Sequence, residues 1–330
     1  MSVQITIIGL GQVGTSIGLA LAGQPAIKRV GHDKNYEAAR AAHKAGAVDE
    51  TKINLPSSVR DANVVLLCLP LSEMRETLKV IALDLQEGTV ILDTAPAKAT
   101  VAAWAHETIP QGRYYIGLAP AAGAGHLHGI DLGVDSARAD LFKDGLFLVC
   151  APHGTPGEAV TLATNLIDLL GAQAMITDSV EADGLLASTH VLPQLAAATL
   201  LDATVDQPGW LEARKIAARP YATATAALAY HDEARSLGDA SIGNRENVVR
   251  VLDAYLSSLR RLRDEIEKGE EESVAEFLED AAQAHDRWLN ERTRADWQNV
   301  ERDRSDLPRF GERLSQMFLG GMTDRGKRRK

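Results

Sequence analysis

The sequence predicts an α/β domain built on a doubly wound parallel sheet, followed by an all-α domain. In the first half, short apolar runs alternate with segments of helical periodicity, the pattern of strands joined by crossover helices. Near Asp178 this alternation stops, and no convincing strand pattern follows from Leu211 onward. A glycine motif, Gly9-x-Gly11-x-x-Gly14, directly follows the first apolar run. We therefore expect two domains, over 1–177 and 178–330.

The predicted strands of the first domain run over 3–8, 29–33, 64–69, 90–93, 114–118 and 146–150. The predicted helices run over 36–45, 72–85 and 99–109. A further helix follows the first strand, because Val13, Ile17 and Leu21 recur at helical spacing. The strands are almost entirely apolar, so we expect a sheet covered by helices on both faces.

The second domain is predicted to consist of helices alone. An Ala/Leu-rich helix is expected over 179–204, with an interruption near Pro193. A second helix is expected over 247–266, because six apolar residues lie near one of its faces. Those six residues are Val248, Val251, Leu252, Tyr255, Leu259 and Leu262. A third helix is expected over 273–289, and the acidic run 270–272 is interpreted as a solvated turn before it.

Composition and charge restrict the possible partners. The chain has 330 residues, enough for two hydrophobic cores, and its 45% hydrophobic and 24% charged residues are typical of globular proteins. The formal net charge of -10 argues against non-specific binding to nucleic acid. The basic run 325–330 is interpreted as a solvated chain end, with a nucleic-acid or partner tail as the alternative.

Cysteine usage and the distribution of apolar residues narrow the class further. Cys68 and Cys150 both lie in apolar runs and are interpreted as buried free thiols. No residue pattern indicates a metal site. The first strand follows the start of the chain without a charged leader and cleavage site, and no apolar run approaches the length of a membrane span. We therefore expect a cytoplasmic protein without a membrane partner.

The glycine motif predicts a dinucleotide site of the Rossmann type. The motif follows a predicted strand and opens a predicted helix, and Asp33 ends the next strand about 20 residues later. Gly9 permits the tight turn, Gly11 lets the pyrophosphate approach the backbone, and Gly14 allows close packing of helix and strand. The phosphates then meet the N-terminal N–H groups of the helix. Leu10, Gln12 and Val13 belong to the same turn.

Asp33 favours NAD as the cofactor. A carboxylate accepts hydrogen bonds from both ribose hydroxyls and repels a 2′-phosphate, whereas Lys34, the next residue, leaves NADP open. The strand end Leu67–Pro70 is expected beside the first strand. Its Leu69 and Pro70 should therefore border the nicotinamide-side ribose.

Several segments together resemble the prephenate and arogenate dehydrogenases of tyrosine biosynthesis. The resemblance extends to about residue 267 and follows the order and spacing of these segments along the chain. They are Ile8–Gly14, Asp93–Lys98, Gly117–Gly123, Ala137–Phe142, Ser188–Gln194 and Asn244–Asn247. It implies a Rossmann-type domain followed by a helical domain that dimerises. It also implies oxidative decarboxylation: a base takes the ring hydroxyl proton, hydride passes to the nicotinamide, and the ring carboxylate leaves as carbon dioxide.

The chain departs from the family at residues that carry this chemistry. Pro96 replaces the serine of the Asp-x-x-Ser-x-Lys segment, with Thr94 nearby, and Ala119 replaces the histidine of the His-Pro-x-x-Gly segment. Neither proline nor alanine transfers a proton. The family's arginine in a Thr-Arg-Ile segment matches Lys215, which can hold a carboxylate without the bidentate fork.

Other residues remain candidates for the chemistry. His190 matches the family's second histidine, with one extra residue before the proline; the alternative is a core histidine. His126 and His128 lie in an apparent insertion near Ala119, where either can replace the missing base or be an ordinary loop residue. Lys98 is a further candidate, or a surface lysine at a helix start.

These features predict an NAD-dependent dehydrogenase acting on prephenate or arogenate, with His190, Lys215, Thr94 and His126 as the catalytic candidates. NADP is not excluded. A homodimer joined through the helical domain is expected. Two alternatives stay open: a related dehydrogenase acting on another small carboxylate, and a non-catalytic dimer that binds NAD.

Overall fold

The computed structural model describes residues 3–129, 133–230 and 234–295, so the basic run 325–330 lies outside the described residues. An eight-stranded sheet forms the first half. Its strands are β1 Val3–Ile8, β2 Ile27–His32, β3 Glu50–Thr51, β4 Val64–Leu67, β5 Val90–Asp93, β6 Tyr114–Ala121, β7 Leu146–Cys150 and β8 Gln173–Thr177. The helices of this half are α1 Gln12–Ala20, α2 Tyr36–Lys44, α3 Leu55–Val59, α4 Leu71–Ile81, α5 Lys98–Thr108 and α6 Gly157–Leu169.

The strand order is β3-β2-β1-β4-β5-β6-β7-β8, and the predicted Rossmann-type fold is confirmed. One pair differs from the prediction of a wholly parallel sheet, because β7 runs antiparallel to β6. The β6–β7 connection contains no α-helix among its described residues, and a parallel pairing usually needs such a crossover. The register pairs Asp93 with Gly117, so β6 continues for four residues past the end of β5.

Helices cover both faces of the sheet, as its apolar strands predict. Ile5, Ile7 and Leu66 point to one face, where they pack against α1 and α6. Ile8 and Val65 point to the other face, where they pack against α4 and α5. The sheet therefore has two buried faces, and its carboxyl edge is left as the place for a ligand.

The described residues of the second half form helices joined by short turns, with no strand among them. Its helices are α7 Ser179–Leu186, α8 Leu192–Thr204, α9 Trp210–Ile216, α10 Arg219–Thr225, α11 Ala234–Gly243, α12 Arg245–Lys268 and α13 Glu271–Arg294. Gly269, at φ +74°, ends α12. Glu271 and Glu272 form the first turn of α13, where the helix dipole favours acidic residues, and not the solvated turn expected from the sequence.

A π-helical turn, Ala187–Val191, joins α7 to α8 just before Pro193. The Leu192 N–H donates to the Ala187 carbonyl, five residues earlier, so this turn holds one more residue than an α-helical turn. Pro193 has no N–H to donate, and the side-chain amide of Gln194 donates to the His190 carbonyl at 2.7 Å. The interruption predicted near Pro193 is thus a widened turn within a continuous helical segment.

The segment Ser179–Thr204 departs from the expectation that no apolar run approaches the length of a membrane span. Its 26 residues make it, within the described ranges, the one helix long and apolar enough to cross a membrane by length and composition alone. Core helices of soluble proteins that pass the same test are mostly buried, whereas 22% of the apolar window of this segment is buried within the described part of the chain.

The helical half has a small core and a large exposed apolar surface. Ala187, Val191, Leu237, Val248 and Val251 form a buried cluster. The apolar stripe predicted on α12 is divided, because its N-terminal part is buried in this cluster while Leu259, nearer the C-terminus, is 44% exposed. Much of the apolar surface of these helices therefore has no partner within the described part of the chain.

Candidate functional site

The glycine turn between β1 and α1 explains why glycine occupies each of its three positions. Gly9 has φ +90°, and a Cβ atom there would lie 2.3 Å from the Cys68 carbonyl oxygen. A Cβ atom on Gly14 would lie 2.0 Å from the Gly9 carbonyl oxygen. A Cβ atom on Gly11 would meet nothing within 4 Å. Gly9 and Gly14 are therefore required by packing, while Gly11 faces open space where a ligand can approach.

Asp33 holds the glycine turn against the end of β2. One carboxylate oxygen accepts a hydrogen bond from the Leu10 N–H at 2.7 Å, and the other accepts one from the Asn35 N–H at 2.7 Å. Each oxygen keeps further acceptor capacity, which is what two ribose hydroxyls require. Asp33 thus orders the turn and presents a carboxylate beside it.

A cavity of about 540 Å³ opens at this turn, a volume typical of ligand sites. Six of the predicted cofactor-binding residues line it: Gly9, Leu10, Gly11, Asp33, Leu69 and Pro70. The other three, Gln12, Val13 and Gly14, are the first residues of α1. The structure therefore brings the three predicted segments of the cofactor site, the glycine turn, Asp33 and Leu69–Pro70, together around one cavity.

Residues from the β6–β7 connection also line this cavity, which the sequence did not predict. Gly133, Val134 and Asp135 belong to the lining, and the Arg138 N–H donates to the Ser16 hydroxyl on α1 at 3.0 Å. This connection thus returns across α1. The approach depends on contacts between residues more than a hundred positions apart, so no local pattern indicates it.

A buried network lies at the carboxyl ends of β5 and β6. Lys98 is fully buried, and its Nζ donates to Asp93 Oδ1 at 2.8 Å and to the Leu118 carbonyl at 2.7 Å. The Tyr115 hydroxyl donates to the other Asp93 oxygen at 2.5 Å, and burial raises the pKa of Tyr115. Lys98 is therefore not a surface lysine, and it fixes the strand end that carries Ala119.

Contacts from the helical half fix the start of α5. Asp183 on α7 accepts hydrogen bonds from the N–H groups of Lys98 at 2.6 Å and Ala99 at 3.0 Å. The Asn244 side chain in turn donates to the Asp183 carbonyl at 2.7 Å. Burial raises the pKa of the Asp183 carboxyl, although the two N–H donors oppose that shift. These hydrogen bonds join α7 of the helical half to α5 of the first half. The π-turn begins at Ala187, four residues after Asp183.

Ala119 and Pro96, the two positions predicted from the sequence to depart from the family pattern, differ in their surroundings. The Ala119 side chain lies in an apolar cluster with Leu148, Cys150 and Ala182. Pro96 is half-buried in the loop before α5. Nearby, the Thr94 hydroxyl donates to the Leu67 carbonyl at 3.4 Å, a weak hydrogen bond at the carboxyl ends of β4 and β5.

The three remaining catalytic candidates lie in different places. His190 is half-buried on the π-turn. His126, in the loop after β6, has Nε2 3.4 Å from Asp140 Oδ1. Lys215 is exposed on α9, a helix with no buried residue, and pairs with Glu212 at 2.5 Å. Lys215 thus pairs with the Glu212 carboxylate on the same helix, and His126 lies beside the Asp140 carboxylate.

Both cysteines are free, as predicted, and Cys150 is buried whereas Cys68 is only partly so. Burial raises the pKa of the Cys68 thiol to about 12 and that of Cys150 to about 11, so both are neutral thiols near pH 7. Within the described ranges, no group of three His, Cys, Asp or Glu side chains is placed to hold a metal ion.

Comparison with known proteins identifies relatives of both halves. A family model for the nucleotide-binding domain of prephenate dehydrogenase matches residues 18–176. Prephenate dehydrogenase of Bacillus subtilis (strain 168) is 24% identical over 291 residues, covering 86% of this chain and 75% of the relative. Cyclohexadienyl dehydrogenase of Zymomonas mobilis is 24% identical over 283 residues, covering 85% and 94%.

Solved structures show the same fold. Prephenate dehydrogenase from A. aeolicus, in complex with hydroxyphenyl propionate and NAD+, has a TM-score of 0.74 at 20% identity. That match covers 86% of this chain and 98% of the other. Synechocystis arogenate dehydrogenase has a TM-score of 0.66 at 20% identity and covers 86% and 99%. The arrangement of a Rossmann-type domain followed by helices is thus shared along most of this chain.

Proposed function

We propose that the chain is a member of the prephenate dehydrogenase family and an NAD-dependent dehydrogenase acting on prephenate or arogenate. The observation that carries the proposal is the cavity at the glycine turn, with the Asp33 carboxylate on its wall. A protein of the same fold, prephenate dehydrogenase from A. aeolicus, was solved with NAD+, which supports the proposal.

The preference for NAD follows from the charge of the cavity. Its lining contains four carboxylates, on Asp33, Glu37, Glu73 and Asp135, against one lysine, Lys34. A ribose with two free hydroxyls suits such a surface, whereas a 2′-phosphate meets repulsion. NAD, when bound, accepts the hydride that leaves the substrate ring.

We propose His190 as the general base that accepts the proton of the ring hydroxyl. It is the family-matched histidine, and the π-turn that carries it is the kind of helix defect often found at functional sites. The His190 ring would accept the hydroxyl proton as a general base, and bound NAD would supply the hydride acceptor for the oxidation that releases the ring carboxylate as carbon dioxide. The His190 carbonyl is fixed by Gln194, which helps to orient the turn.

Lys215 is proposed to bind a substrate carboxylate as a point charge. Its helix α9 has no buried residue, so the substrate is enclosed there only when a second copy covers this helix. The proposed assembly is accordingly a homodimer joined through the helical half, and the proposed location is the cytoplasm.

The test of this function is an assay of the purified full chain with prephenate and with arogenate, each with NAD and NADP. We expect NAD reduction with one of the two substrates. His190→Ala should lower kcat by about 10²–10⁴-fold, the usual size of a lost general base. His153→Ala, at an exposed histidine of the first half that is absent from the cavity lining, is the matched control and should leave kcat unchanged. Lys215→Ala should mainly raise KM. An unchanged kcat in His190→Ala would remove His190 from the mechanism.

One observation favours a second candidate function, a non-catalytic family member that binds NAD. The surroundings of Ala119 are apolar, so the position of the family's histidine supplies no proton acceptor. If the wild type is inactive and Ala119→His with Pro96→Ser creates turnover, the protein is a family member that has lost the reaction. If both are inactive and NAD binds, the protein acts on another carboxylate or only binds NAD.

A further inference from the structure

An ion pair connects two segments of the cofactor cavity. Lys34 directly follows Asp33 in the β2–α2 loop, and Glu73 lies in the first turn of α4. The Lys34 ammonium donates to a Glu73 carboxylate oxygen, and both residues line the cavity. The Glu73 side chain is 25% exposed and that of Lys34 67%, so Glu73 is the more firmly packed partner.

Lys34 supplies the positive charge in the described lining of this cavity. Among the described residues that line it, Lys34 is the sole lysine or arginine. It is also the residue next to the carboxylate proposed to bind the ribose hydroxyls. A 2′-phosphate on that ribose needs a cation close by, and Lys34 is the nearest in sequence to the ribose-binding carboxylate. Whether the protein can accept NADP therefore depends on what holds Lys34.

We propose that Glu73 is a specificity-determining residue that engages Lys34 and keeps this cation from a 2′-phosphate. The preference for NAD then has two sources. Asp33 repels the phosphate directly, and Glu73 withholds the cation that would neutralise it. This inference rests on the proposed binding of NAD at the glycine turn.

The size of the effect follows from the exposure of the pair. A partly exposed ion pair is weak, so removing the Glu73 carboxylate alone should change the ratio of NADP to NAD affinity only by about twofold to fivefold. In an Asp33→Ser background the repelling carboxylate is gone, and a Lys34 that no longer pairs with Glu73 can meet the phosphate. The two substitutions together should therefore change the ratio by more than the product of their separate effects, because they act on one phosphate.

The experiment is a calorimetric titration of the full chain with NAD and with NADP. The variants are Glu73→Gln, Lys34→Gln, both together, Asp33→Ser, and Asp33→Ser with Glu73→Gln. Glu76→Gln is the matched control: it lies on the same helix, pairs with Lys79 at 3.3 Å and is absent from the cavity lining. Circular dichroism checks that each variant folds; glutamine is isosteric with glutamate, and Glu73 is not a core residue.

We expect Glu73→Gln to raise NADP affinity relative to NAD, and Glu76→Gln to leave the ratio unchanged. The gain should vanish when Lys34→Gln is added. Lys34→Gln alone should leave the ratio near that of the wild type, because the cation is already engaged. An unchanged ratio in Glu73→Gln, or a gain that survives Lys34→Gln, would overturn the inference.

The outcome also separates this inference from the proposed function. If the wild type binds neither NAD nor NADP at millimolar concentration, the proposed cofactor site fails and this inference fails with it. If the wild type binds NAD and Glu73→Gln shows the wild-type ratio, only the role of Glu73 is rejected.

Discussion

The nucleotide end and the chemical end of the candidate site are assembled in different ways. At the nucleotide end, Gly9, Gly14 and Asp33 lie within the first two strand–helix units, and short backbone contacts hold them together. At the proposed chemical end, the candidate residues Lys98, Ala119 and His190 come from distant parts of the chain and from both halves of the molecule. The nucleotide end depends on local backbone geometry. The proposed chemical end depends on how the helical half packs against the first half and on the proposed second copy.

The largest expected effect is dimerisation through the exposed apolar surface of the helical half. Exposed side chains there include Ile216, Ile242, Leu278 and Trp288, at 83%, 75%, 55% and 47%. Burial of this surface between two copies should give a dimer with micromolar or tighter affinity, which corresponds to about 8 kcal/mol or more. Light scattering at micromolar concentration should show twice the monomer mass. A monomer under these conditions would contradict the proposed assembly.

The next effect tests the buried network at the chemical end. Lys98→Met leaves the Asp93 carboxylate buried without its cation and should lower the free energy of unfolding by about 3–5 kcal/mol. Lys79→Met is the control, because Lys79 is exposed and should change stability by about 0.5 kcal/mol or less. Chemical denaturation measures both. Equal, small losses would show that the Lys98 pair does not fix this part of the fold.

A smaller effect separates the two roles of glycine at the nucleotide end. Gly14→Val forces a side chain against the Gly9 carbonyl and should destabilise the fold by about 1–3 kcal/mol, as overpacking does. Gly11→Val places its side chain in open space and should keep nearly wild-type stability. Thermal unfolding without nucleotide distinguishes the two variants. If they lose the same stability, the turn does not pack as described.

The smallest effect is a pH dependence at the junction of the halves. Burial raises the pKa of the Asp183 carboxyl above its ordinary value, so its ionisation costs more in the folded than in the unfolded chain. Its contribution to stability is fully present below the ordinary pKa and is lost as pH rises through the raised one. The stability of the wild type relative to Asp183→Asn should therefore fall as pH rises from about 4 to 7. Urea denaturation at several pH values measures this difference, and a rise with pH would contradict it.

These contrasts also show what the sequence could predict. The glycine turn and Asp33 were predictable because their spacing encodes a local backbone geometry. The burial of Lys98 was not, because it depends on Asp93 and the Leu118 carbonyl meeting at one sheet edge. The sequence likewise did not predict that Asp135 lies on the cavity wall.

The π-turn shows an intermediate case. The extra residue before Pro193 was visible in the sequence, but its structural form was not. An inserted residue can end a helix or widen one turn, and here the Leu192 to Ala187 hydrogen bond selects the widened turn. The Gln194 side-chain amide adds a hydrogen bond to the His190 carbonyl within this turn. Local patterns thus indicated where the helix is irregular, while side-chain contacts determined how.

The central claim is that the cavity at the glycine turn binds NAD with Gly11 facing the pyrophosphate. Calorimetric titration of NAD into the wild type and into Gly11→Val tests it most directly. We predict a dissociation constant between low micromolar and millimolar for the wild type. We predict no measurable binding for Gly11→Val, because the branched side chain fills the open space that the phosphates need. Equal NAD affinity in the two proteins would contradict the claim.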